Sequence, residues 1–288
     1  MLKFISREDL IKLLNGLKKE YDVYAPVRKN GRLFYGKPED GFDTAVIGGV
    51  RASEPVKAFF SRARERVADG FKPDVPHAGD RPLAVIGVKA CDLKGFKIQD
   101  FVFKNHDCAD PFYLKLREQN LIISADCTEA LDTCFCAAMG IKPSPEECYD
   151  LNLSEISGGF VAETGSPKGE GLAGKYGALF TDASSGQTAE RDKKRAAVTE
   201  KVLKNIADND VPRERELGGA AERNFESGIW QDEARTCVEC GACNTICPTC
   251  HCFLLYDQSD GKGMAMARFR IWDSCMIKDF ARVAGGAN

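Results

Sequence analysis

Cysteine is the residue type with the most chemistry to offer in this chain, and four cysteines stand at a telling spacing. Cys237, Cys240 and Cys243 recur every third residue, Cys247 follows four further on, and Pro248 comes next. An iron–sulfur cube takes four thiolates on its four irons. A two-residue gap lets a looping backbone present three sulfurs to three corners of one cube. The fourth cysteine, with a proline stopping the chain from folding back, serves the other cube in two-cluster ferredoxins. Gly241 allows the backbone to approach closely. A lone C-x-x-C would suit zinc equally well; the longer run ending in Pro points to [4Fe–4S].

Cys250, Cys252 and Cys275 follow, giving more thiols than one cube needs. One cube takes Cys237, Cys240, Cys243 and a remote partner. Cys247 then serves a second, with cysteines from this group or from another chain. His251, between two cysteines, reads as a neighbour of the ligands or an exposed residue, with ligation of iron the alternative. Further back, Cys91 and Cys127 each follow an apolar run, and Cys134 and Cys136 form a C-x-C. If the two runs are adjacent parallel strands, Cys91 and Cys127 emerge at one sheet edge, where α/β folds build sites. These four form a second candidate [4Fe–4S] site; buried structural cysteine is the alternative reading. Cys108 and Cys148 read as bystanders.

The elements that must position these thiols are legible in part. Residues 7–19 have helical periodicity. Tyr21–Val27 and Gly31–Gly36 read as strands around an Asn30-Gly31 turn. Pro55–Val67 reads as a helix, Leu83–Val88 and Leu121–Ala125 as buried strands, and residues 92–103 and 111–119 as helices. Gly159–Glu163 reads as a strand, 166–187 as loop, and Thr188–Ala207 as a charged helix with a solvated face. The expected fold is α+β: an N-terminal α/β domain over 1–187, a helical connector over 188–221, and a mainly helical ferredoxin-like [4Fe–4S] domain over 222–288.

Composition excludes several classes. The chain has 288 residues, 13 cysteines and a formal net charge of −3. Clustered cysteines without a signal-peptide pattern suit metal rather than disulfides. The charge leaves no basic stripe for nucleic acid, and no apolar run reaches the roughly 18 residues of a membrane span. A cytoplasmic protein is expected. The chain has neither G-x-G-x-x-G nor a P-loop. Arg268, Arg270 and Lys278 flank Cys275 and read as solvated charges or part of a docking surface.

Taken together, Gly87-Val88-Lys89-Ala90-Cys91-Asp92-Leu93, Asp126-Cys127-Thr128, Thr133-Cys134-Phe135-Cys136, Trp230 through Phe253, and Arg270 through Cys275 resemble one family. It comprises the iron–sulfur beta subunit of sulfhydrogenases and the matching iron–sulfur subunit of anaerobic sulfite reductase. The resemblance runs from about residue 10 to the end. It implies several [4Fe–4S] clusters, ligation by Cys91, Cys127, Cys134 and Cys136, and a place between a flavin subunit exchanging electrons with NAD(P)H and a catalytic subunit. Members continue past the Gly285-Gly286 region into a second ferredoxin-type motif. Here the sequence ends at Asn288 without one. Either the form is truncated, or the second C-terminal cube is missing or rebuilt from Cys247, Cys250, Cys252 and Cys275. The expected function is electron relay to a hydrogenase, sulfite reductase or heterodisulfide-reductase-type partner. A catalytic oxidoreductase with an open-site cluster acting on a sulfur substrate, and a zinc-stabilised interaction module, are the alternatives.

Overall fold

The computed structural model describes residues 2–38, 41–76, 78–105, 109–259, 266–277 and 280. Along the chain run β1 (Lys3–Ser6), α1 (Arg7–Leu17), β2 (Asp22–Lys29), β3 (Arg32–Gly36), β4 (Arg64–Asp69), β5 (Lys72–Pro73), β6 (Leu83–Val88), α2 (Ala90–Lys104), α3 (Pro111–Gln119) and β7 (Leu121–Ala125). β8 (Leu151–Ile156), β9 (Gly159–Thr164), α4 (Pro167–Lys175), β10 (Thr181–Asp182), α5 (Ser185–Asp208), β11 (Phe253–Ser259) and β12 (Met266–Trp272) follow. Among the described residues, a large sheet has the order β10-β1-β9-β8-β7-β6-β2-β3. Its centre, β2-β6-β7-β8, is parallel.

The parallel centre explains the continuous apolar runs. Every residue of β7 is buried, as are Ala84 through Val88 of β6, because a parallel sheet is covered on both faces. One face packs Ala84, Ile86 and Ile123 with Leu10, Leu13, Leu14 and Leu172, the last from α4 and the others from α1. The other packs Val85, Val88 and Ile122 with Leu93, Phe96, Tyr113 and Leu116 of α2 and α3. Local signals agree with these elements. Ser6 caps α1 by accepting from Asp9 N at 3.0 Å. Asp110 caps α3 by accepting from Phe112 N and Tyr113 N, with Pro111 opening the helix. Asn30 and Gly31, at φ +50° and +76°, give the β2–β3 turn the left-handed pair that a two-residue hairpin requires.

Three local expectations are corrected. Within Pro55–Val67, a single 3₁₀ turn, Val56–Phe59, replaces the helix, and β4 begins at Arg64. The cause is a distant partner: β4 pairs with β12, roughly two hundred residues later, which overrides local propensity. In the 166–187 region α4 forms, capped by Ser166. A Cβ on Gly169 would stand 1.7 Å from the Asp150 carbonyl oxygen, so a glycine that argues against helix by propensity is what lets this one pack. Third, α5 is more than a solvated connector. Val198, Val202 and Ile206 are buried, and the last two pack on Ala138 in the turn that follows the C-x-C.

The C-terminal segment carries less helix than expected. Its described part holds the short helices Ile229–Ala234 and Ala242–Ile246 and the β11–β12 hairpin. That hairpin joins β4 and β5 in a second sheet, order β11-β12-β4-β5, so the C-terminal cysteines are tied to the N-terminal half. Arg270 is not a solvated charge: it is 6% exposed and paired with Glu65 of β4 and with Asp110. Arg268 pairs with Asp257; Lys278 lies outside the described residues. Arg270→Ala leaves the buried Glu65 and the part-buried Asp110 without this cation and is expected to destabilise the chain by roughly 3–5 kcal/mol, read from urea unfolding.

Candidate metal centres

The N-terminal thiols meet at one edge of the large sheet. β6 and β7 are parallel neighbours, so Cys91, in the first turn of α2, and Cys127, just beyond β7, emerge side by side. A glycine at φ +75°, Gly87, breaks the β6–β7 register just before that edge. The C-x-C arrives on its own loop. Cys134 Sγ accepts from Leu131 N at 3.3 Å, and Cys136 opens a 3₁₀ turn ended by Gly140 at φ +65°. α5 backs this loop: Asn205 Nδ2 donates to Leu131 O at 2.6 Å, and Arg195 Nε to Asp126 Oδ2 at 2.7 Å.

The thiols act on one another electrostatically. Burial pushes the Cys91 thiol far up, and the charges of Asp92, Cys127 and Cys136 add to it. Burial pushes Cys127 up to about 11, with Cys136 and Cys134 adding and Lys89 opposing. Cys136 is raised by burial and then by Cys134. Thiols that hinder each other's ionisation stay protonated until a multivalent metal centre supplies positive charge, and then give up their protons on binding. Soft sulfur donors of this number fit iron–sulfur chemistry.

Sequence reasoning passed over the residue at the centre of this edge. Lys89 is wholly buried, and its Nζ donates to the carbonyls of Ile47, Gly48 and Asp126 at 2.9, 3.0 and 3.1 Å. Burial lowers its pKa, while Cys127, Asp126 and Cys91 pull the other way. A lysine directly after a fully apolar strand was the available signal.

The C-terminal thiols fall into two neighbouring groups. In the first loop Glu239 and Gly241 adopt left-handed conformations, φ +54° and +67°. Cys237, Cys240 and Cys243 are exposed. Asn244 links this loop to Cys275: Cys243 Sγ donates to Asn244 Oδ1 at 3.5 Å, and Asn244 Nδ2 donates to Cys275 Sγ at 3.4 Å. Gly241 lies against Ile277 and Ser274, in the same turn as Cys275. The second group is Cys247, Cys250 and Cys252, whose charges all act on Lys57. Burial alone would raise Cys247, but the Thr249 hydroxyl, 3.0 Å away, and the Thr249 and Cys250 amides bring it below its ordinary value. Burial and the neighbouring Cys247 push Cys250 up to about 11.

Side chains from the N-terminal half hold this second loop by its carbonyls. Lys57 Nζ donates to Asn244 O at 2.8 Å and Cys250 O at 2.9 Å. Arg51 Nη2 donates to Ile246 O at 2.9 Å, and Gln99 Nε2 to Pro248 O and Cys250 O at 3.2 and 3.1 Å. No sequence signal marked Arg51, Lys57 or Gln99. Lys57 also stands over the Trp272 ring at 4.8 Å. His251 hydrogen-bonds Thr249 O at 3.0 Å. Cys148 is half-buried, and the charges acting on it come from Arg117, Glu147, Asp100 and Lys97 rather than from another cysteine; Cys108 lies outside the described residues. Among the described residues no three His, Cys, Asp or Glu side chains close on a single metal ion; the thiols form spread sets. Lys89→Met orphans the three carbonyls that Lys89 joins, and the metal-free chain is expected to lose roughly 3 kcal/mol or more of stability, measured by urea unfolding.

Comparison with known proteins adds two findings. The family described as 4Fe-4S dicluster domain matches residues 236–288. The sulfhydrogenase 2 subunit beta of Pyrococcus furiosus is 29% identical over 278 residues, covering 95% of this chain and 79% of that protein. No helix among the described residues is long and apolar enough to cross a membrane. The chain is thus an iron–sulfur protein with a 4Fe–4S dicluster domain and a relative, across nearly its whole length, of the sulfhydrogenase beta subunit.

Proposed function

We propose that this chain is an electron-transfer subunit, passing single electrons between a flavin- and NAD(P)H-linked partner and a catalytic oxidoreductase subunit. The observation that carries the reading is that Cys91 and Cys127 follow two adjacent parallel strands, with the charges of Cys134 and Cys136 acting on Cys127 and that of Cys136 on Cys91. These four would hold one [4Fe–4S] cube. Cys237, Cys240 and Cys243 would hold another, with Cys275 the nearby candidate for its fourth corner. Cys247, Cys250 and Cys252 would form the start of a further site. The cubes supply one-electron redox chemistry. The protein's part is to hold the thiolates, exclude water and set potentials through charge and hydrogen bonds.

At the N-terminal set, Lys89 lies near Cys91 and Cys127, and its protonated form, which burial disfavours and the neighbouring acidic groups favour, would stabilise the reduced, more negative state. At the second C-terminal group, Lys57 does the same beside Cys250. The division into an α/β part, the α5 connector and a C-terminal iron–sulfur part follows as an organisational proposal. The relative's name, that of a hydrogenase component, supports an oxidoreductase partner.

One observation favours a second reading. A groove of about 730 Å³ is lined by Cys127 with Arg191, Lys194, Arg195 and Lys201 and by the carboxylates of Asp126 and Glu155; Arg191, Lys194 and Arg195 are ion-paired. An anionic sulfur compound could reach the N-terminal set there, as an open-site oxidoreductase would require. Sulfite- or polysulfide-dependent changes in the EPR spectrum of the isolated chain would favour that reading; an unchanged spectrum favours relay.

Anaerobic purification with iron and sulfide analysis tests the main proposal. Cys127→Ser and Cys240→Ser are each expected to lower the iron content by about four atoms per chain, each removing a different EPR signal. Zinc in place of iron, or the same signal lost in both variants, would refute the assignment. Anaerobic co-purification should also bring down a flavin-containing subunit.

A further inference from the structure

Two of the cysteine sets touch through helix α2. Cys91 lies in its first turn. Gly95 is four residues on, on the same face and about 6 Å further along the axis. There the helix has no space for a side chain: a Cβ on Gly95 would stand 2.8 Å from Pro248 Cβ and 2.9 Å from the Pro248 carbonyl oxygen. One turn later Gln99, 1% exposed, donates to the carbonyls of Pro248 and Cys250. Arg51 closes the contact from the side. Its Nε donates to both carboxylate oxygens of the buried Asp92 at 2.9 and 3.0 Å, and its Nη2 to Ile246 O at 2.9 Å. Asp92 adjoins Cys91, and Ile246 and Pro248 flank Cys247. Each tie therefore ends one residue from a thiol or, in Gly95 and Gln99, on the helix face that Cys91 shares.

The geometry points to a direct electron route between the N-terminal set and the Cys247 loop across the first turns of α2. Gly95 sets the separation, and Arg51 and Gln99 are positioning residues that hold the loop against the helix. This inference rests on the proposal that both sets hold cubes. Tunnelling weakens steeply with distance, and here the path is one helical turn, one van der Waals contact and one peptide unit. The step is a bare electron movement. The set reduced by a low-potential partner loses one electron, the neighbouring set gains it, and no bond or proton moves. The route orders the relay, since the N-terminal set is joined to the C-terminal sets at the Cys247 loop.

EPR of the fully reduced, anaerobically purified chain tests the route. Two paramagnetic cubes this close interact, so the wild-type spectrum should show spin–spin splitting and a half-field signal. Gly95→Val forces the Pro248 loop away from α2 and should abolish the half-field signal. Iron content and the g-values of the separate clusters should stay at the wild-type level. Gln99→Leu, which removes two carbonyl bonds and adds no bulk, should weaken the same signal, and it decides the matter if Gly95→Val fails to fold. Full iron content with magnetically isolated clusters in the wild type would overturn the route and leave the two-site proposal standing. Iron for a single cube would overturn that proposal and the route with it. An unchanged half-field signal in an iron-replete Gly95→Val or Gln99→Leu chain would overturn the assignment of these residues.

Discussion

Thiolates gathered away from water repel one another, and the structure answers that repulsion with buried cations held by backbone carbonyls. At an effective dielectric constant of about 20, two unit charges about 4 Å apart interact by about 4 kcal/mol, enough to decide whether a neighbouring thiol ionises. Lys89 is anchored by three carbonyls beside Cys91 and Cys127. Lys57 is anchored by two beside Cys247, Cys250 and Cys252. These anchors are neutral carbonyls, so they leave the positive charge uncancelled at close range. Each lysine stands where, under the proposed assignment, a reduced cluster would carry its extra electron, and each ties together separate stretches of backbone.

The same side chains explain why the C-terminal cysteines cannot be considered apart from the rest. A ferredoxin-type loop is short and buries little apolar area of its own. Here its carbonyls are held by Arg51, Lys57 and Gln99, its proline sits on Gly95, and its flanking hairpin completes a sheet begun at β4. The buried Arg270, bridging Glu65 and Asp110, secures that sheet to the start of α3. Removing a buried cation from such a triad costs far more than a surface pair would.

α5 shows how a charged helix supports the loops of the candidate N-terminal site. Its buried stripe, Val198, Val202 and Ile206, packs toward the sheet and the C-x-C turn. Arg195 pairs with Asp126, whose carbonyl in turn accepts from Lys89. The helix thereby fixes two of the loops that bring thiols to the sheet edge.

Sequence alone determined the chemistry and much of the scaffold. Cys237, Cys240, Cys243 and Cys247 announce iron because cluster geometry is written into consecutive spacings. Leu83–Val88 and Leu121–Ala125 announce buried parallel strands because both their faces must be apolar. Such signals are local, and local signals survive in a linear text. The tertiary structure decided what depends on residues far apart in the chain. It placed β4 where a helix was expected, since the strand's partner lies roughly two hundred residues away. It brought Cys275 to Asn244, the neighbour of Cys243, and it set Arg51, Lys57, Lys89 and Gln99 against the cysteine loops. An isolated polar residue has no periodicity to betray it, and its role exists only once the fold has chosen its neighbours.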